Sequence, residues 1–315
     1  MRNRLLFVVF RYKIGLTNEK RSVDVTAGAD LSFVHLGITI QNMVKSFSIG
    51  GFSFAFYGLI IGIGMVCGIL VAQSDAKRRG QDPDMYLDFA LYGIVFAILG
   101  ARIYYVVFQW GYYKDHLTEI INLRKGGLAI YGGIIGGVLT LLVFAKKRKM
   151  SFFSMADSAV LGLITGQIIG RWGNFVNCEA FGGYTDCLFA MRIKRSIVNA
   201  SMISQELIDN LIIENGIEYI QVHPTFLYES LWNLGVLIFM LWYRKRKKFD
   251  GEILFIYLAG YGIGRTWIEG LRTDSLLVPG TGLAVSQLLS IALVVVSLGI
   301  LLYRRKTSGK REGNA

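Results

Sequence analysis

The chain has 315 residues, 53% of them hydrophobic, with a mean hydropathy of +0.46 and 37 glycines against three prolines. That balance excludes an ordinary soluble domain and fits a multi-span membrane protein. The formal charge of +12 does not mark a nucleic-acid surface, because the basic residues gather between apolar runs, where cytoplasmic loops carry them.

Residues 1–42 read as an extension of doubtful status. The first 49 residues would lie outside the cell, yet they carry Arg2, Arg4, Arg11, Lys13, Lys20, Arg21 and Lys45. The apolar patch Leu5–Phe10 is too short for a signal-peptide core. Translation from Met43 would remove six of the seven charges; a disordered or surface-lying extension is the other reading. From residue 43 to 315 the pattern is uniform. Seven runs of about 20 apolar residues, each long enough to span as a helix, fall near 50–73, 87–109, 127–145, 152–177, 225–243, 251–270 and 283–303. Within lipid every backbone group must bond inside its own segment, so these runs are predicted helices. The expected fold is all-α: seven transmembrane helices, with residues 178–224 as a small extracytoplasmic head between spans four and five.

Charge orients the spans. Loops holding Lys77 to Arg79, Lys146 to Lys149 and Arg244 to Lys248, with the tail from Arg304 to Arg311, supply seventeen Lys and Arg; the opposite loops supply seven, including Arg124 and Lys125. The first set is predicted cytoplasmic. The C-terminus is then inside, the N-terminus and head outside.

Polar side chains inside such helices are costly and point to function. Span one offers Tyr57 and span two Arg102. Span three opens with three glycine pairs, Gly126-Gly127, Gly132-Gly133 and Gly136-Gly137, which suit close helix packing; Tyr131 stands between two of them. Span four ends in Arg171, Asn174 and Asn177, three residues apart, with Glu179 and Gly182 following. An arginine there presents the planar fork that suits a phosphate. Span five is entered through His223-Pro224 and on to Tyr228-Glu229. On span six, Tyr261, Arg265, Glu269 and Arg272 fall on one narrow stripe at 100° per residue. Two arginines against one glutamate leave positive charge to spare, which favours an anion. The three cysteines, Cys67, Cys178 and Cys187, make no metal pattern; Cys178 and Cys187 are either free thiols or a disulfide. Nor do His35, His116 and His223 form a metal cluster.

Taken together, Arg171-Trp-Gly-Asn174-Phe-Val-Asn177-Cys-Glu179-Ala-Phe-Gly182, Gly100-Ala-Arg102, His223-Pro224 through Tyr228-Glu229, and Tyr261 through Arg265 to Glu269 resemble the bacterial prolipoprotein diacylglyceryl transferases, from about residue 43 to the C-terminus. The resemblance implies transfer of the diacylglyceryl group of phosphatidylglycerol to the thiol of the lipobox cysteine in a prolipoprotein signal sequence. Glycerol phosphate is released, in the bacterial cell membrane and without metal or cofactor. It implies that Arg171 holds the headgroup and Arg265 neutralises the departing phosphate. Asn174, Asn177 and Glu179 would orient glycerol hydroxyls or brace Arg171, with Gly182, Tyr57, Arg102, Tyr261, Glu269 and His223 completing the substrate site. Many members have histidine where Tyr131 stands. A tyrosine with a pKa near 10 is a poor base at neutral pH, so Tyr131 is a site residue without an assigned role. The rival reading is a transporter of an anionic solute, which should show paired halves with broken helices; none is visible.

Overall fold

A computed structural model describes residues 29–49, 52–123, 126–278 and 280–312. The patch Leu5–Phe10, the basic residues before position 29, and Arg124 and Lys125 lie outside the described residues. The chain divides into two compact units. One comprises the described residues to Gly64 with Gly166–Val236 and Leu258–Val296; the other comprises Met65–Thr165, Leu237–Tyr257 and the described residues from Ser297.

The chain is mostly helical, but the all-α expectation does not hold. The first unit contains a five-stranded antiparallel sheet in the order β2-β1-β5-β7-β6, built from β1 (Ala29–Phe33), β2 (Ile38–Met43), β5 (Met191–Lys194), β6 (Ile212–Glu214) and β7 (Ile217–Val222). Period-two patterning explains it: Met191 and Ile193 are buried while Arg192 and Lys194, which alternate with them, are not. Leu31 pairs with Ile193, and Ile193 with Ile220. All three are fully buried, in a cluster with Phe175, Phe181, Leu207 and Phe226. Each such side chain contributes about 1.5–3 kcal/mol. Strands of three to six residues are too short to register as periodic runs, and β1 and β2 come from the stretch set aside as an extension. A second hairpin, β3 (Ser46–Ile49) with β4 (Phe52–Ala55), stacks Phe47 on Phe54 at 5.5 Å.

Among the described residues six helices are long and apolar enough to cross a membrane: α1 (Phe56–Arg78), α2 (Asp84–Phe108), α4 (Ile130–Lys147), α5 (Phe152–Asn177), α7 (from Thr225 to Tyr243) and α9 (Val285–Glu312). The predicted sixth span is the helix α8 (Glu252–Glu269), whose 18 residues include Glu252, Arg265 and Glu269. Two short helices, α3 (Trp110–Tyr113) and α6 (Gln205–Asp209), lie in the connections.

In the second unit, α2 and α4 meet backbone to backbone. A Cβ on Gly100 would fall on the Gly132 carbonyl oxygen, one on Gly132 on the Gly100 oxygen, and one on Gly136 on the Phe96 oxygen. Glycine is required here by the approach of the helices, as small residues are at membrane helix contacts. Gly137 meets nothing within 4 Å. Gly132→Val is therefore expected to lower stability by about 2–3 kcal/mol, read as a fall in thermal midpoint in detergent, whereas Gly137→Val leaves the midpoint in place. Equal effects of the two would show that the interlock does not hold the pair together.

Three buried carboxylates tie the basic ends of this unit. Asp75 takes Arg78 and Arg244, each at 2.9 Å, and Ser158 at 2.7 Å. Asp157 takes Lys247 at 2.9 Å and the backbone N–H groups of Gly251 and Leu254 at 3.0 Å. Glu252 takes Tyr243 and Arg305 at 2.7 Å. Buried charge survives only when paired in this way.

Candidate functional site

The first unit brings α5, α7 and α8 together through small residues and indole N–H groups. The Tyr57 ring lies over Gly173, where a Cβ would sit 2.8 Å from it. Trp172 Nε1 donates to Ser230 Oγ (3.3 Å), whose hydroxyl donates to the Ile168 carbonyl (3.1 Å). Trp232 Nε1 donates to the Gly260 carbonyl at 2.8 Å, and its ring occupies the space over Gly264. Any side chain at Gly264 would push α7 from α8.

These contacts set six charged groups in an alternating chain. Arg171 on α5 is paired with Glu229 Oε1 on α7. Glu229 Oε2 faces Arg265 Nη1 at 3.4 Å, and Arg265 Nη2 lies 2.6 Å from Glu269, one turn along α8. Arg272 lies 4.0 Å from Glu269 and 2.8 Å from Asp274. The Tyr261 hydroxyl sits in the field of Glu229, Arg265, Arg171 and Glu269. The side chains of Glu229 and Glu269 are 4% and 6% exposed, those of Arg171 and Arg265 21% and 17%. The guanidiniums thus keep a way out to a ligand while the carboxylates do not.

The expected surplus of positive charge is corrected here. Glu229 and Asp274 complete a neutral set of three cations and three anions. Burial would raise the Asp274 carboxyl, but the Arg272 guanidinium outweighs it and holds that carboxyl below the ordinary aspartate range. Sequence reasoning places Glu229 in a motif but does not make it a site residue. The signal was available, since a carboxylate one turn inside an apolar helix needs a partner.

The end of α5 is built to hold Arg171. Asn174 Oδ1 accepts from Arg171 Nη1 at 3.5 Å, and Asn174 Nδ2 donates to Glu179 Oε1 at 2.9 Å. Asn177 reaches the same Glu179 oxygen at 3.4 Å. The chain reverses through Cys178 and Ala180, both at positive φ (55° and 56°), and Lys45 donates to the Asn177 carbonyl at 3.2 Å, capping the helix. Gly182 then passes between two strands of loop. Its N–H donates to the His223 carbonyl at 2.9 Å, and a Cβ would meet the Leu271 carbonyl at 2.7 Å. The signature glycine locks the backbone from which Arg272 projects.

His223 faces Tyr228 Oη at 3.3 Å, and that hydroxyl is 3.4 Å from Cys187 Sγ. Burial holds the imidazole below the ordinary histidine range, hence neutral at pH 7. Cys67, Cys178 and Cys187 are free thiols.

Tyr131 and Arg102 belong to the second unit. Tyr131 opens α4 with its ring 6.5 Å from Tyr104. Arg102 is 6% exposed, and its guanidinium donates to the carbonyls of Ile120 (2.7 Å), Gly126 and Gly127 (2.8 Å), Glu119 (2.7 Å) and Asn122 (3.3 Å). Five N–H donors meet five carbonyls, so in this conformation no donor is left for a substrate.

The chain is similar to known proteins over most of its length. Residues 45–303 match the family model described as prolipoprotein diacylglyceryl transferase. Phosphatidylglycerol–prolipoprotein diacylglyceryl transferases of Bacillus cereus and Bacillus mycoides are each 43% identical over 258 residues, covering 82% of this chain and 90% of theirs. Another from Bacillus cereus is 42% identical over 271 residues, covering 86% and 95%.

Proposed function

The chain belongs to the prolipoprotein diacylglyceryl transferase family, and on that premise we propose that it transfers the diacylglyceryl group of phosphatidylglycerol to a prolipoprotein cysteine. The observation that carries the reading is the convergence of Arg171 and Arg265, from two helices, on the two oxygens of one carboxylate. A carboxylate and a phosphate present the same paired acceptors to a guanidinium, which supports binding of a headgroup phosphate by these two arginines.

The chemistry is displacement at a primary carbon. The cysteine sulfur forms a thioether with the glyceryl carbon, the C–O bond to phosphate breaks, and glycerol phosphate leaves with the electron pair. Arg171, braced by Asn174 and, through it, by Glu179, holds the phosphodiester. Arg265, oriented by Glu269, neutralises the charge that grows on the departing oxygen, an effect that is large in a dry site. The thiol, with a free pKa near 8.5, loses its proton more readily beside positive charge. Tyr57, Tyr261 and Asn177 line the glycerol end, and His223 and Gly182 shape the loop from which the peptide approaches. Tyr131 keeps an unassigned part in the site.

The protein acts as a seven-span enzyme of the bacterial cytoplasmic membrane, with α8 as the seventh span. Its three charged residues are the reason its composition departs from the other six. Charge bias supports a cytoplasmic C-terminus, which puts the end of α5 and residues 178–224, with the five-stranded sheet they share with β1 and β2, outside, toward the outer leaflet. The test is mass spectrometry of a signal peptide incubated with purified protein and phosphatidylglycerol in detergent. A diacylglyceryl mass on a cysteine peptide and none on its serine counterpart is expected. An unmodified cysteine peptide with folded protein and intact lipid would reject the reading.

A further inference from the structure

The neutral ion chain has a consequence for turnover, one that rests on the proposed transfer. The substrate phosphodiester carries one negative charge. The product is a phosphate monoester, which carries about −1.5 to −2 at pH 7. The reaction therefore adds negative charge to the bound group: the S–C bond forms, the C–O bond breaks, its electron pair stays on the phosphate oxygen, and the thiol proton passes to solvent. In a partly buried site, where charges interact strongly, arginines not balanced by Glu229 would hold the product more tightly than the substrate and stall the enzyme.

Glu229 removes that trap. Its two oxygens engage Arg171 and Arg265 separately. At 4% exposure its carboxylate has no water to turn to, so it must regain the guanidiniums whenever a ligand takes them. We infer that Glu229 is a displaceable counter-ion, which yields guanidinium N–H groups to the incoming phosphate, the 3.4 Å contact with Arg265 first, and reclaims them to expel glycerol phosphate. The residue acts as a positioning and release group and sets the preference of the site for a monoanion over a dianion. Glu269 and Asp274 cannot substitute for it, since they pair with Arg265 and Arg272 but not with Arg171.

The experiment compares inhibition of peptide lipidation by glycerol phosphate and by glycerophosphoglycerol, a water-soluble diester of single charge. In the wild-type protein the dianion should bind within about threefold of the monoanion. In Glu229→Gln the inhibition constant of glycerol phosphate should fall by about tenfold or more, that of the diester much less. Steady turnover should drop below the single-turnover rate as release becomes limiting. A merely structural carboxylate would weaken both ligands when removed. An unchanged ratio in Glu229→Gln overturns the inference. If that variant does not fold, a wild-type protein that already favours the dianion by about tenfold overturns it equally. A wild-type protein that lipidates no peptide in the same assay rejects the proposed function, and the inference falls with it.

Discussion

Replacing Arg171 with alanine is expected to lower kcat/KM for diacylglyceryl transfer by about three orders of magnitude. The change removes the paired donors for the phosphate and leaves the buried Glu229 with Arg265 as its one remaining ion-pair partner among the described residues. Breaking a buried pair in this way costs about 3–5 kcal/mol, and about 4 kcal/mol of lost transition-state stabilisation accounts for a thousandfold effect. Arg171→Lys keeps the charge but not the planar fork, so recovery should be partial, with a residual loss of about tenfold to a hundredfold. Initial rates at several phosphatidylglycerol concentrations, with the thermal midpoint as a control for folding, decide the matter. Activity within tenfold of wild type in a folded Arg171→Ala protein would mean that the headgroup binds elsewhere.

Arg102→Met should have the second largest effect, of a different kind. Methionine keeps much of the length and apolar bulk but leaves the carbonyls of Glu119, Ile120, Asn122, Gly126 and Gly127 without their donor. An unsatisfied buried acceptor costs about 1–3 kcal/mol. Water can reach some of these carbonyls, so about 3 kcal/mol in total is the expected loss. It should show as a lower thermal midpoint and as new protease cleavage between residues 115 and 128. A raised KM with the midpoint and the protection intact would instead return Arg102 to the substrate site.

How far the sequence could be read depended on the physics of each feature. Six membrane-length helices among the described residues were legible because a run of about 20 apolar residues matches the thickness of the bilayer core, and the arginines of the candidate site drew attention because arginine within such a run is expensive. Glu229 was harder, since its meaning lies in a partner 58 positions away. The stripe of Tyr261, Arg265 and Glu269 is local to one helix and could be projected from spacing alone; the pairing across α5, α7 and α8 could not. The three-residue β6 and four-residue β5 alternate over too few residues to stand out from the sequence, and the pattern of β5 became informative only once Leu31 and Ile193 were seen face to face. For Arg102 the residue type suggested a ligand contact, whereas the glycines at 126 and 127, both at positive φ near 80°, turn their carbonyls toward it. That local geometry is invisible in the order of the residues.

The carboxylates at the basic ends of the second unit bear on how the protein is made. Asp75 and Arg244 are separated by 169 positions, Asp157 and Lys247 by 90, and Glu252 and Arg305 by 53. At about 5–20 residues per second, a ribosome needs roughly 10–30 s to travel from Asp75 to its partner. Both α1 and α5 leave the insertion machinery before those counter-charges exist. Until then Asp75 has Arg78 for a counter-charge, and the full set of ion pairs in this unit needs its last segments. A chain stalled before residue 244 would present Asp75 and Asp157 without Arg244 and Lys247, a mark by which a membrane protease could tell an unfinished copy from a finished one.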